Sequence, residues 1–411
     1  MEAIKVSVVV PVYNVDEFLD NTLSDITGQT LREIEIICVD DGSTDNSCKI
    51  IEEWMEKDFR IQLLRQKNQY AGVARNNGLK QAHGKYVIFW DADDLFDEKA
   101  LETLYTQAEK ESSDICICEA RKYDNEKEKY IPSNAYLKEE LLPEDKATFN
   151  KFDVPEYIFN LTNNVPWNKL YRREFILENN LEYQAIKQAN DTYFTIMALF
   201  LAERITYVKD VLIAYRVNND ESLSGKASDT VFCAYDSWLY AKEHIEKYPD
   251  FNLVRFSFLN RALSGFYHAL NIQTTFESYE KLYRKLVEEG IHEFGLDECT
   301  EENIYAVWMY KDMQKMYEIE PADFLVQKSI TRRVNNENNT VRRKILREKN
   351  AALRENVKEL KEDKKALQSA RKKLQEEKKK LQKEIDNIKQ SKAYRLGNKL
   401  LWLPRKVVKR G

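Results

Sequence analysis

Hydrophobic residues in the first 120 positions fall into short solid runs separated by stretches with helical spacing. Val6 to Pro11, Ile34 to Asp40, Ile61 to Leu64, Tyr86 to Trp90 and Asp114 to Cys118 are short, rich in β-branched residues and bounded by polar ones, so each predicts a strand. Asp16 to Ile26, Ser47 to Glu56, Ala71 to Gln81 and Glu98 to Glu109 predict the intervening helices, with Ser43, Thr44 and Asp45 available as caps. Such alternation predicts a mostly parallel sheet covered by helices on both faces.

The pattern then changes. Residues 121–150 are polar and broken by Pro132 and Pro143, which predicts a loop or an insertion. Beyond it lie the run Trp167 to Phe175, a helical stretch over Asp191 to Leu201, and strand-like Ile205 to Val208 and Leu212 to Val217. From about Thr230 to Leu325 aromatic residues recur at helical spacing, as a helical core requires. Leu346, Leu353, Leu360, Leu367, Leu374, Leu381 and Ile388 then repeat every seven residues, the seam of a coiled coil. Its companion row is Asn350, Val357, Lys364, Arg371, Lys378 and Ile385, too polar for a strong dimer. The expected division is 1–228 for the sheet domain, 229–328 for a helical region, 329–390 for the coiled coil and 391–411 for a tail.

The net charge of −5 conceals a polarity along the chain. From Val341 onward 25 basic residues face 9 acidic ones, a surplus of 16, so the rest of the chain carries −21. In the tail, Tyr394, Leu396, Leu400, Leu401, Trp402, Leu403, Val407 and Val408 alternate with Lys392, Arg395, Lys399, Arg405, Lys406, Lys409 and Arg410. Apolar rings among cations fit an element lying on an anionic membrane surface, with a docking helix for a protein as the alternative. No signal peptide or membrane span is expected, and the six scattered cysteines suit a reducing cytosol. A cytoplasmic protein held peripherally on the inner face of the cell membrane is the resulting expectation.

Asp91-Ala92-Asp93-Asp94 follows the fourth predicted strand without a spacer. In an open α/β sheet, ligands bind beyond the C-terminal strand ends, so these acids are expected at the crevice. Crowded carboxylates need a cation between them, and a divalent metal carrying a diphosphate meets that need. The first and second strands end in Pro11-Val12-Tyr13-Asn14 and Asp40-Asp41-Gly42-Ser43-Thr44-Asp45 at the same edge, where Tyr13 suits a stacked base and Asp41 a base or ribose hydrogen. His83, His244, His268 and His292 are dispersed and suggest no zinc site.

Val8 to Asn14, Val39 to Asp45, Ala74-Arg75-Asn76-Asn77-Gly78 and Asp91 to Asp94 resemble, in order and spacing, the inverting family 2 glycosyltransferases of bacterial cell-surface polysaccharides, which have a GT-A fold. The resemblance implies a Rossmann-like mixed sheet with helices on both faces, a nucleotide-diphosphate-sugar donor (usually a UDP-sugar), and Mg²⁺ or Mn²⁺. It assigns Pro11, Tyr13, Asp41, Arg75, Asp91 and Ala92 to the nucleotide-sugar and Asp93 to the metal. Asn190-Asp191 followed by Thr192-Tyr193-Phe194 is similar to the family's acidic pair, which makes Asp191 the general base although Asn190 stands where glutamate is usual. Pro166 to Tyr171 with Trp167 and Lys169, and Tyr215-Arg216 with Ser222 and Ser224, are similar to the elements on the acceptor and diphosphate side. Asp94 is expected to cap a helix or to lie beside the ribose.

The combined expectation is inverting transfer of a sugar to a hydroxyl of a growing or lipid-linked glycan, with a possible homodimer through the coiled coil and no nucleic-acid partner. Two rivals remain. A nucleotidyltransferase would carry a glycine- and lysine-rich loop after the first strand, where Val12 to Glu17 has neither. A non-catalytic scaffold for a polysaccharide assembly complex would use only the coiled coil and tail.

Overall fold

In the computed structural model, which describes residues 3–131, 133, 136–217 and 230–407, the chain divides into two units, residues 1–325 and 326–411. The strands of the first are β1 (Val6–Val12), β2 (Ile34–Asp40), β3 (Ile61–Arg65), β4 (Tyr86–Phe89), β5 (Leu95–Phe96), β6 (Ile115–Asp124), β7 (Lys129–Ile131), β8 (Lys169–Arg172) and β9 (Ile205–Val217). They form one sheet in the order β3-β2-β1-β4-β8-β6-β9-β5, with β7 hydrogen-bonded to β6. The segment β3-β2-β1-β4 is parallel, β8 runs antiparallel to both β4 and β6, and β9 is parallel to β6. The sheet is therefore mixed, as the fold resemblance implies.

Alternation along the strands decides the two cores. Val9, Ile37, Val39, Val87, Phe89, Ile115 and Ile117 face one side, while Val8, Val10, Ile36, Cys38, Ile88, Trp90 and Cys116 face the other. Helices α1 (Asp16–Thr27), α2 (Ser47–Met55) and α4 (Ala100–Glu111) cover the second face through Leu19, Leu23, Ile26, Ile51, Leu101 and Leu104. Helices α3 (Tyr70–Gln81) and α6 (Asp191–Leu201) cover the first, and α5 (Arg173–Glu178) follows β8. The helical stretch contains α7 (Cys233–Ile245), α8 (Phe251–Asn271), α9 (Phe276–Lys285), α10 (Ile291–Glu293) and α11 (Val307–Met316). Its buried residues join the first core without a break, from Val9 and Phe89 through Phe258 to Phe324.

Two elements differ from the pattern reading. Residues 205–217 form one strand rather than two, because a β-bulge against β6 absorbs the polar interruption around Lys209 and Asp210. Residues 121–124 extend β6 and pair with β7 and β9; this polar hairpin carries no hydrophobic alternation that would announce it. At the start of α2 the cap residue is Asn46, which makes no side-chain capping bond, while Asp45, among the expected caps, accepts from the Ser47 amide at 3.0 Å and from the Ser47 hydroxyl at 2.9 Å. All six cysteines are free.

The second unit is helical. Helix α12 (Pro321–Gln390) starts in the first unit and runs on through the heptads, and α13 (Lys392–Val407) follows. Along α12 the seam residues Leu360, Leu367, Leu374, Leu381 and Ile388 are exposed in the single chain. Among the described residues no helix is long and apolar enough to cross a membrane. The boundary expected at 228, together with Ser222, Ser224, Val408, Lys409 and Arg410, lies outside the described residues.

Candidate functional site

Parallel pairing brings the three sequence motifs to one edge. Pro11 is in register with Val39 and Val12 with Asp40, while the Trp90 amide donates to the Val9 carbonyl at 3.0 Å. The loops after β1, β2 and β4 thus leave the sheet side by side. They are laced together: the Asn14 side-chain oxygen accepts from the Thr44 amide at 2.8 Å, and Asp40 accepts from the amides of Gly42 and Ser43. Gly42 has φ +81°, a left-handed conformation that a side chain would strain.

On this floor Tyr13 is half exposed at 50%, as a stacking platform must be, and Pro11 is half-buried beneath it in the chain. Asp41 is buried; its Oδ1 accepts from Gln66 Nε2 and from the Gln69 amide, each at 2.7 Å. These bonds fix the carboxyl group at the crevice edge and leave Oδ2 without a bond of its own in that pair.

Arg75, on the second turn of α3, ties the two sides of the crevice together. Its Nη2 donates to Asp91 Oδ1 at 2.6 Å and its Nη1 to Asn190 Oδ1 at 3.0 Å, while the guanidinium lies 5.4 Å from the centre of the Tyr183 ring. Burial works to lower its pKa, but Asp91, Tyr183 and Asp191 together hold it above the ordinary value. Close approach makes this possible: a Cβ on Gly72 would lie 2.3 Å from the Gln184 carbonyl oxygen and 3.0 Å from the Asn190 Cβ. Asn190, the departure from the family's acidic pair, is thereby the neutral acceptor for a buried arginine.

Asp191 opens α6 and is half-buried. Burial raises its carboxyl above the ordinary carboxylate range, with Arg75 and Lys169 opposing and Asp91 adding to the rise. It stands at the helix N-terminus without acting as the cap, since the cap residue Asn190 makes no capping bond.

The acids after β4 separate by environment. Asp91 pairs with Arg75, and the Ala92 carbonyl accepts from Thr22 Oγ1 at 2.8 Å. Asp94 caps no helix: it is fully buried, its Oδ1 accepts from the Arg216 amide at 2.9 Å, and its Oδ2 has no partner. Burial and then the like charges of Asp93 and Asp91 push its carboxyl well above the usual range. Asp93 is half-buried between them.

Arg216 is buried rather than a surface residue. Its Nε donates to the Asp93 carbonyl at 2.7 Å and its Nη1 to Asn125 Oδ1 at 2.7 Å, over the ring of Phe18. Trp167 stacks on Tyr215 with centroids 5.8 Å apart, and its carbonyl accepts from Trp90 Nε1. Lys169 is fully buried, with Nζ donating at 2.8 Å to the carbonyls of Asn163 and Val165 and to Asn168 Oδ1. Burial pulls it down to about 7, while three acceptors satisfy every donor of its ammonium form. Both side chains are buried, and Lys169 ties down the 163–168 loop.

Three participants gave no signal in the sequence. Gln66 and Gln69 orient Asp41, and Arg261 of α8 donates from Nε to Asn164 Oδ1 at 2.9 Å, close enough for its charge to feel Asp191. Glutamine in a loop and arginine in a helix are too common to single out.

Among the described residues no three His, Cys, Asp or Glu side chains cluster as a protein-only metal cage. The donor set nonetheless fits Mg²⁺ or Mn²⁺, which bind through one or two carboxylates and complete their shell with substrate phosphates and water. Asp94 Oδ2 is buried without a partner among like charges, an orphaned polar atom that a cation held at Asp93 would help to balance.

Residues 7–178 match the model of glycosyl transferase family 2. The chain is 34% identical over 215 residues to the uncharacterized glycosyltransferase EpsJ of Bacillus subtilis, covering 52% of this chain and 61% of EpsJ. It is 33% identical over 219 residues to glycosyltransferase GlyG of Streptococcus pneumoniae, covering 51% of this chain and 70% of GlyG. The crystal structure of S. aureus TarS 1–349 in complex with UDP-GlcNAc superposes with a TM-score of 0.55 at 21% identity, over 76% of this chain and 91% of TarS 1–349. That likeness gives the fold, and the two sequence relatives with the family match give the kinship. The chain belongs to glycosyl transferase family 2 and has a GT-A fold.

Proposed function

We propose that the protein transfers a sugar from a nucleotide-diphosphate-sugar, a UDP-sugar, to a hydroxyl of a growing or lipid-linked glycan, with inversion at the anomeric carbon. One observation carries the reading: Arg75 bridges Asp91 on the donor edge and Asn190 beside Asp191, which sets the motif acids and a carboxylate of raised pKa in a single crevice.

In this reading Tyr13 stacks on the base, and Asp41, held by Gln66 and Gln69, accepts from the base or ribose. Asp91, fixed by Arg75, takes the ribose side, with the Ala92 backbone beside it. Asp93 holds Mg²⁺ or Mn²⁺, which supplies Lewis-acid neutralisation of the departing diphosphate. Asp191 takes the proton from the acceptor hydroxyl as that oxygen forms the new bond to the anomeric carbon and the sugar–phosphate bond breaks on the opposite face. A carboxyl with a raised pKa is a stronger base than a solvated one, which suits the task. Arg216 braces the Asp93 loop, and Trp167 and Lys169 shape the acceptor side.

The second unit supplies location. Along α13 the exposed Tyr394 and Leu396 lie among exposed Lys392, Arg395 and Lys399, a composition that holds the enzyme peripherally on an anionic cytoplasmic membrane surface. The exposed heptad row offers a seam for a homodimer.

The experiment is a panel of nucleotide sugars incubated with the full chain with and without Mn²⁺, reading release of the nucleoside diphosphate. Release from a UDP-sugar that depends on the metal supports the reading. Silence across the panel, or equal release by Asp93→Ala, contradicts it.

A further inference from the structure

The loop that delivers Asp191 is held by the helical stretch that follows the sheet. Ala189, two residues before the base, has φ +56°, a left-handed conformation that is costly for a residue with a side chain. Its carbonyl begins the first turn of α6 by accepting from the Thr192 amide at 3.2 Å, and it also accepts from Ser237 Oγ of α7 at 2.7 Å. Ser237 is fully buried, and its Oγ lies 2.8 Å from Gln184 Oε1, while the Gln184 amide donates to the Asn190 carbonyl at 3.3 Å. One hydroxyl of α7 therefore ties both ends of the 184–190 loop.

A second tether holds the next turn. Thr195, four residues after Asp191 and on the same face of α6, is fully buried and donates from Oγ1 to the Asn164 carbonyl at 2.7 Å. The Asn164 side chain is held in turn by Arg261 of α8, whose Nε donates to its Oδ1 at 2.9 Å. Further bonds fasten this junction to α8: Ser257 Oγ accepts from the Phe159 amide at 3.1 Å, and the Ser257 carbonyl accepts from Asn160 Nδ2 at 2.8 Å. Asp191 is thus bracketed by α7 two residues upstream and by α8, through Asn164, one turn downstream. A strained backbone persists only where the surrounding contacts over-determine it, and such strain gathers at groups that must be held in one pose.

We propose that Ser237 and Arg261 are positioning residues for Asp191, and that α7 and α8 are the part of the enzyme that aims the base at the acceptor hydroxyl. The inference deepens the transferase reading and rests on it. Ser237 acts through the Ala189 carbonyl, and Arg261 acts through Asn164 and Thr195. Aim matters because proton transfer needs the carboxylate oxygen within hydrogen-bond reach of the hydroxyl, so a shift of about 1 Å is costly. Without the Ser237 hydroxyl, Ala189 is free to relax from its left-handed φ and to carry Asn190 and Asp191 with it. The helical stretch thereby gains a part in the reaction, although it lies beyond residues 7–178 that match the family model.

The test is a double-mutant cycle in the full chain with Mn²⁺, reading UDP release from the UDP-sugar that the panel identifies, with water as acceptor. Ser237→Ala and Arg261→Gln should each lower kcat about tenfold and leave the donor KM within about twofold of the parent, and Arg261→Lys should restore kcat. In an Asp191→Asn background the same substitutions should change the residual rate less than about twofold, because no base is left to aim. Amide hydrogen exchange over residues 189–195 should quicken about tenfold in Ser237→Ala while exchange over β1 stays as in the parent. Full kcat in both Ser237→Ala and Arg261→Gln, or equal losses in the parent and Asp191→Asn backgrounds, overturns the proposal. If the parent turns over no nucleotide sugar, the transferase reading fails; unchanged exchange over 189–195 then overturns the tether too, and faster exchange leaves the tether standing without it.

Discussion

The two sides of the crevice are built by opposite means. On the donor side, Tyr13, Asp41 and Asp91 follow directly from adjacent parallel strands, so the sheet register alone places them within a few residues of each motif. On the acceptor side, Asp191, the 163–168 loop and Arg261 are brought together by buried cations reaching across the chain: Arg75 to Asn190 over 115 residues and Arg261 to Asn164 over 97. A surface set by backbone pairing is tolerant of loop changes, whereas one set by side-chain ties can be re-aimed by a single substitution.

The comparison is broken most severely at the base. Asp191→Asn keeps the shape and removes proton acceptance, so kcat for transfer should fall about 1,000-fold in steady-state assays. Asp93→Ala should lower kcat/KM about 100-fold and abolish the response to added Mn²⁺. If Asp191→Asn costs less than Asp93→Ala, the assigned division of labour is wrong.

The supporting cations should matter through stability. Lys169→Met leaves three buried acceptors without a donor and should lower the unfolding free energy by about 3 kcal/mol in urea titrations. Tyr13→Ala removes only the exposed stacking ring, so UDP affinity should drop about tenfold with unfolding unchanged. The smallest expected effect is on the pH profile. The base works deprotonated, so kcat must fall as pH falls through the Asp191 pKa; because burial raises that pKa, the fall should begin above the ordinary value of a solvated carboxylate. A profile flat down to that value would remove Asp191 from the role.

What could be read in advance follows the same line. Val8 to Asn14, Val39 to Asp45 and Asp91 to Asp94 are contiguous strings whose strand character and motif residues are visible together, and a helix around Asp191 to Leu201 is legible as α6. Arg75 was legible as a motif member, but its link to Asn190 was not, because nothing local marks two residues that meet only after α3 packs on α6. Lys169 looked like an acceptor-side cation and is a buried strut, since a lysine amid Asn168 and Leu170 gives no hint that carbonyls of Asn163 and Val165 await it. The β6–β7 hairpin was hidden because its strands are polar, and the single β9 because a bulge interrupts its alternation. Helices α7 to α11 were read as a helical core, which they are, without any sign that α8 reaches toward the base.

The central claim is that donor and acceptor sides are separable parts of one catalytic crevice. Isothermal titration of a UDP-sugar in the presence of Mn²⁺ measures that most directly, comparing the parent chain with Asp93→Ala and Asp191→Asn. The account predicts that Asp93→Ala weakens donor binding by about tenfold or more while Asp191→Asn stays within about threefold of the parent. Equal weakening by both substitutions, or by neither, would contradict it.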